Sequence, residues 1–253
     1  MSALPSSVIQ TERHSKVSDR YTNINTESII NKLMDNGFEL YEAKQSGAIK
    51  EENKGFQKHL VTMKYNDLET AEGVPTVVIR NSHNRSSGLS LFSGWIRFAC
   101  FNGLIAGTDI ESFNIKHHKA WEPKVDEFIY QYESKIHQLM GQYDAMKHTA
   151  ISPYTELFLA KMAGQLRYSL DDYMDVRQLT AVHRIEDRGD DLFTVYNRIQ
   201  ENLIKGDFER RIITESEDLG MVTSWGKAKK ITNTDEVVRL NRSLHNLAMV
   251  HAS

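Results

Sequence analysis

The sequence predicts an α+β protein: an N-terminal helix and an antiparallel sheet of about four strands, followed by a mostly helical second half. Three observations carry this prediction. Apolar and polar residues alternate with period two over residues 57–65, and two further strand candidates, 74–82 and 89–101, follow between turns bearing Asn, Gly and Ser. From residue 122 onward, apolar residues recur instead at spacings of three and four. A chain of 253 residues can bury a real core as one large domain or two modest ones.

The elements follow in order. Residues 1–19 are polar and without apolar period, so we expect a mobile arm. Thr26 can cap a short helix whose stripe is Ile29, Ile30, Leu33 and Met34, and Gly37 can end it. A strand over 38–43 comes next. In residues 57–65, His59, Val61, Met63 and Tyr65 share one face, and Lys58, Leu60, Thr62 and Lys64 the other. Residues 74–82 are rich in β-branched side chains, and residues 89–101 make a long strand with Gly94 as a candidate kink. Gly103 is expected to end that strand in a left-handed conformation.

Residues 122–147 form the strongest amphipathic pattern, with Pro123 in the first turn. Further helices are expected over 153–168, 171–183, 192–205 and 234–251, with a strand or hairpin between 207 and 230. This divides the chain into the arm (1–19), an α+β sheet region (20–121) and a helical region packed on the sheet (122–253), together expected to form one compact domain.

Bulk composition narrows the function. Net charge is −3, so a nucleic-acid partner is neither demanded nor excluded; local patches set the field at a binding face. Cys100 is the only cysteine, which rules out an intramolecular disulfide and gives no sign of an oxidising compartment. No apolar run is long enough to span a bilayer, and no signal-peptide pattern opens the chain. We expect a cytoplasmic protein without membrane association.

The residues argue against most catalytic chemistries. His117 and His118, with His148 and His183, lack the paired spacings and cysteines of a zinc site. Glu186, Asp187, Asp190 and Asp191 could hold magnesium in a nuclease, but Asp190 and Asp191 directly precede a helix, where carboxylates cap free N–H groups. Cys100 sits between Ala99 and Phe101 on a strand, the setting of a buried structural thiol. No phosphate-cradling glycine loop or dinucleotide fingerprint is present. No catalytic residue, cofactor or metal is expected.

Binding remains. Surfaces for single-stranded nucleic acid combine cations for phosphates with aromatics on which bases stack. The candidates are Arg80, His83, Arg85, Trp95, Arg97 and Asn102 on the sheet and its turn, and the basic run containing Lys116, His117 and Lys119. Arg210, Arg211, Trp225, Lys227, Lys229 and Lys230 form a second group late in the chain.

Three separated segments resemble one family. They are Asn81-Ser-His-Asn-Arg-Ser with the strand running from Arg97 to Asn102-Gly-Leu104, the run from Leu192 to Ile204, and the run from Val237 to Ala248. Together they resemble the phage/plasmid-like family known as domain of unknown function 932. Asn84 stands where members often carry Asp, and Phe101 where they carry a small residue, so a role for the turn acid would be lost here. The resemblance implies a mobile-element context and no established activity. The element order is also similar to that of phage single-strand annealing proteins, an analogy of fold alone.

We therefore expect a homo-oligomeric protein binding single-stranded DNA in recombination, annealing or replication. The rivals are a factor that binds a host defence or polymerase protein, and a metal-dependent nuclease.

Overall fold

The computed structural model describes residues 4–18, 21–47, 50–98, 103–105, 112–115, 117, 121–168, 174–216 and 220–252. The chain forms two compact units, Met1–Leu139 and Met140–Ser253. The division falls inside a helix.

In the first unit, helix α1 (Thr26–Met34) buries Ile29, Ile30 and Leu33. Its N-cap is Asn25, whose side chain accepts from Glu27 N at 2.8 Å, rather than Thr26. The Thr26 hydroxyl is turned inward to other partners. Gly37, at φ +86°, ends the helix as expected. A meander follows: β1 (Phe38–Gln45), β2 (His59–Tyr65), β3 (Gly73–Asn81) and β4 (Leu89–Arg97), each antiparallel to the next. The outer edge of β4 is shared by β5 (Gly103–Ile105) and β6 (Ser112–Ile115).

Register departs from expectation at two glycines and a tyrosine. Gly94 pairs with Thr76 in unbroken register and makes no kink. Gly103 pairs with Ile96 and opens β5 rather than ending β4. The irregularity lies instead in β1 between Leu40 and Glu42, where Tyr41 is the extra residue, on the exposed edge where bulges discourage strand addition.

The predicted alternation of β2 holds: His59, Val61 and Met63 are buried, whereas Leu60, Thr62 and Lys64 are half-buried. Every residue of β4 is buried. Phe38, Tyr65, Phe128 and Tyr132 pack as an aromatic cluster on the His59–Val61–Met63 face. Phe128 and Tyr132 come from the first half of α2 (Glu122–Lys147), and Lys32 of α1 reaches Asp126 of α2 at 2.6 Å.

Residues 4–18, expected as a mobile arm, are packed as a strap in which Ser7, Val8 and His14 are buried. Gln45 Oε1 accepts from Ser7 N and Ser7 Oγ, and His14 meets Glu52 O at 3.0 Å and the Phe56 ring. Composition marked this segment as polar. Its few anchoring side chains have no periodicity to reveal them.

The second unit holds the rest of α2, α3 (Pro153–Gln165), α4 (Leu192–Lys205) and α5 (Thr234–Met249), plus a two-stranded ribbon of β7 (Glu209–Ser216) and β8 (Gly220–Lys227). Ser152, Asp191 and Asn233 cap the three later helices through their side chains. The helix expected over 171–183 is corrected: within the described residues it is a bridge at Met174 and a single 3-10 turn, Val176–Gln178. Met174 forms an isolated antiparallel bridge with Arg210 of β7.

Candidate functional site

The Asn81–Gly88 segment is half clasp and half turn. Asn81 lies at the end of β3 with its amide wholly buried. Its Nδ2 donates to Ile24 O and to Thr26 Oγ1, both at 3.0 Å. Those two bonds fix Oδ1 as the acceptor, and it receives Ser82 N–H at 2.8 Å and His117 Nε2–H at 2.9 Å. Thr26 Oγ1 in turn donates to His59 Nε2 at 2.8 Å, and His59 Nδ1–H donates to Gln57 O at 3.1 Å. One amide thus joins residues 22–26, β2, β3 and His117.

His83 extends the clasp toward the strap. Its Nδ1–H donates to Asn23 Oδ1 at 2.5 Å, while Asn23 Nδ2 donates to the strap carbonyls of Gln10 and Glu12. The His83 and His59 rings lie 5.4 Å apart, and Tyr21 stacks on His117 at 4.7 Å while donating to Ser82 O.

Burial keeps these imidazoles neutral. Desolvation lowers the pKa of His59 to about 4, against an opposing bond to the Gln57 carbonyl. Desolvation, then the charges that His59 and His117 would carry, lowers His83 to about 3. His117 is lowered by burial and partly restored by the Thr22 carbonyl, 3.3 Å from its Nδ1; that nitrogen can donate only in the charged ring, because the neutral ring's proton is on Nε2. Both nitrogens of His59 are hydrogen-bonded, and those of His117 face Asn81 Oδ1 and Thr22 O. Among the described residues, no group of three His, Cys, Asp or Glu side chains could hold a metal.

Three of the predicted binding residues are enclosed. His83, Trp95 and Arg97 are all buried, Trp95 against Gly73, whose missing Cβ leaves room for the indole. Alternation sorted these side chains by face; it could not show that β4 is flanked on both edges and covered on both faces. Arg80 is half-buried, donating to Ser90 Oγ at 3.1 Å with its guanidinium over Phe92. Arg85 is exposed at φ +65°, at the tip of a turn held by reciprocal Ser82–Ser87 bonds. Asn102, Lys116, Lys119, His118 and Cys100 lie outside the described residues.

The late-chain candidates do come together, on the ribbon of the second unit. Arg211 pairs with Trp225 and Glu209 with Lys227, so these four side chains share one face with Met221. Trp225 is 62% exposed and Met221 70%. Arg210, on the other face, lies over the Tyr168 ring at 4.6 Å, which Arg167 also approaches at 5.0 Å. The Gln178 side chain donates to Glu209 O and accepts from Glu209 N, imitating a third strand at the ribbon's base. Lys229 and Lys230 are exposed just beyond β8, and Lys227 pairs with Asp207 at 2.9 Å.

Two of the four candidate nuclease carboxylates, Asp191 and Asp187, are engaged elsewhere. Asp191 caps α4 by accepting Thr194 N–H at 2.8 Å, as its position suggests. Asp187 is buried against Arg184 Nε at 3.0 Å, while Glu186 and Asp190 are exposed. Of the remaining histidines, His148 bonds to Asp144 O and His183 to Asn202 Oδ1. Sequence reasoning missed Asn23, Thr26, Gln45, Tyr168 and Gln178. Each is an unremarkable polar or aromatic residue whose partner is tens of positions away, a relation no local pattern carries.

Fold and site together define a two-unit α+β protein with a buried histidine–asparagine clasp in one unit and a cationic, indole-bearing ribbon in the other. The chain belongs to the family described as Domain of unknown function (DUF932), whose model matches residues 13–245, clasp and ribbon included. It is similar to two proteins of Escherichia coli (strain K12), the UPF0380 proteins YfjQ and YafZ. Each is 29% identical over 246 residues, covering 96% of this chain and 86% of the relative. No solved structure matches. No helix among the described residues is long and apolar enough to cross a membrane.

Proposed function

We propose that this protein binds single-stranded nucleic acid through the β7–β8 ribbon, serving recombination, annealing or replication without catalysing bond chemistry. The observation that carries this is Trp225, 62% exposed and cross-strand from Arg211. An indole left in water with a guanidinium beside it suits a base stacked on the ring and a phosphate on the cation. Lys227, Lys229 and Lys230 add charge along the same stretch. A mobile-element setting and a homo-oligomer holding one extended strand fit this reading.

The test is fluorescence anisotropy with a labelled single-stranded oligodeoxynucleotide across a salt series. Binding should weaken steeply with salt, and Trp225→Ala should lose on the order of tenfold, as a stacked base is worth about 1–3 kcal/mol. Absence of binding at low salt, or affinity indifferent to salt, rejects the reading. A second reading, a docking surface for a host protein, is favoured by exposed Tyr154, Leu157 and Phe158 on α3. A stoichiometric host protein retained after nuclease treatment would support it instead.

A further inference from the structure

We infer that the outer edge of β8 joins two copies of this chain, β8 pairing antiparallel with the β8 of a second copy about a twofold axis at Thr223. This goes beyond the nucleic-acid reading and does not rest on it.

The ribbon's register fixes which way its main chain faces. Ala228 N–H donates to Phe208 O at 2.8 Å, and the antiparallel register runs on from that pair. Hydrogen-bonded pairs recur at every second residue, so Gly226, Ser224 and Val222 exchange bonds with Arg210, Ile212 and Thr214. The N–H and C=O groups of Met221, Thr223, Trp225 and Lys227 therefore point away from β7. The far edge of β7 shows the same alternation: Gln178 bonds the N–H and C=O of Glu209, the residue opposite Lys227. That edge is covered by Gln178 and by the Met174 bridge, whereas among the described residues the ribbon's sheet ends at β8.

The protein treats its sheet edges differently. β1, at one edge of the larger sheet, has exposed Glu39, Glu42 and Lys44 and a bulge between Leu40 and Glu42, features that deter strand addition. β8 has neither. The run Met221-Val-Thr-Ser-Trp-Gly226 is in unbroken register and carries no charge and no proline. Met221, Thr223, Ser224 and Trp225 along it are exposed.

Side-chain placement selects a second copy as the occupant. Met221 and Trp225, the ribbon's large exposed apolar side chains, stand two residues to either side of Thr223. Pairing Thr223 with the second copy's Thr223 sets Met221 against the second copy's Trp225, and Trp225 against its Met221. The outward main-chain groups allow register shifts only in steps of two residues. A step either way sets Met221 opposite Thr223 or Lys227 instead, so the central register alone matches apolar with apolar at both ends. A thioether at an indole edge is a favourable contact, and a β-branched pair suits the axis. Arg211 keeps its place beside Trp225 on the β7 side. The joined ribbons present two indoles about 14 Å apart on one four-stranded face.

The test is sedimentation velocity of the full chain without nucleic acid. A contact confined to one strand edge is small, so reversible dimerisation with a dissociation constant on the order of micromolar is expected. Thr223 is exposed, and Thr223→Lys sets two like charges across the axis, which should raise that constant at least about tenfold. Disulfide trapping reads the register separately, in a Cys100→Ser background. Thr223→Cys places paired Cα atoms about 5.5 Å apart, within disulfide reach, and oxidation should link the copies. Lys227→Cys leaves its two thiols about 27 Å apart and should not. A monomer at every concentration up to about 100 µM overturns the inference. So does a dimer indifferent to Thr223→Lys, equal trapping at 223 and 227, or a different protein or peptide found paired along β8. The nucleic-acid reading is decided apart from all of these, by Trp225→Ala and the salt series.

Discussion

Asn81 and His117, 36 positions apart in sequence, share a 2.9 Å hydrogen bond in which the asparagine carbonyl accepts and the imidazole donates. The same amide serves Ile24, Thr26 and Ser82, so its four bonds replace those it would make to water. Replacing Asn81 by Ala strands the Ile24 carbonyl, the Ser82 amide and the His117 ring together. A buried unsatisfied group costs about 1–3 kcal/mol, so a loss of about 3 kcal/mol in urea unfolding is expected. A loss below about 1 kcal/mol would show that water or relaxation replaces the clasp.

The buried histidines predict acid lability. An ordinary imidazole titrates near 6.5, and in the folded chain His59 is lowered to about 4 and His83 to about 3. Between those values the unfolded chain binds more protons than the folded one, so stability is full above about pH 6.5 and falls as pH drops toward 4 and then 3. Each group contributes a slope of about 1.4 kcal/mol per pH unit in its window. His83→Gln should flatten the curve below pH 6 by about one proton. An unchanged slope would mean His83 is not buried in its neutral form.

The outcome at each element shows how far local pattern reaches. Alternation in β2 and the spacing in α2 predicted which side chains share a face, because both are short-range geometry. Whether a face meets solvent is a long-range fact, which is why Trp95, Arg97 and His83 were expected at a surface and lie inside. Trp225 looked equivalent in sequence and is exposed, because a two-stranded ribbon has no second layer of its own. Residues 171–183 show the converse error: helical spacing of Met174 and Leu179 is satisfied by two anchors in an irregular segment.

Two glycines should respond oppositely to alanine. Gly206 has φ +74°, and a Cβ there would meet Ala228 O at 2.6 Å and the Lys229 backbone. Gly141 lies inside α2, where a Cβ would meet nothing within 4 Å. Gly206→Ala should destabilise by more than about 1 kcal/mol, and Gly141→Ala should stabilise by about 0.5–1 kcal/mol. Thermal unfolding of the two variants checks the pair, and shifts of the same sign would contradict the backbone argument.

Glu201 on α4 is buried with Arg184 and Lys205 both bonded to its carboxylate. Burial alone would raise its pKa; the two cations hold it below the ordinary carboxylate value. Arg184 also meets buried Asp187, so Arg184→Ala leaves two enclosed carboxylates without that cation. The expected loss is about 3–5 kcal/mol. Lys205 is 53% exposed, and Lys205→Ala should cost about 1 kcal/mol or less. Equal losses in denaturant titration would contradict the assigned burial.

Gln178 predicts a local effect without a global one. Its amide bonds both the N–H and the C=O of Glu209, at 2.9 and 3.1 Å, where β7 leaves the helical unit. Gln178→Ala removes both bonds at an exposed site where water can replace them. Global stability should therefore change by no more than about 1 kcal/mol. The Glu209 amide should nonetheless exchange its hydrogen faster, because the ribbon's base loses the group that stands in for a third strand. If exchange at Glu209 is unaltered, the ribbon is held by Tyr168 and its two arginines alone, and Tyr168→Ala should then produce the faster exchange instead.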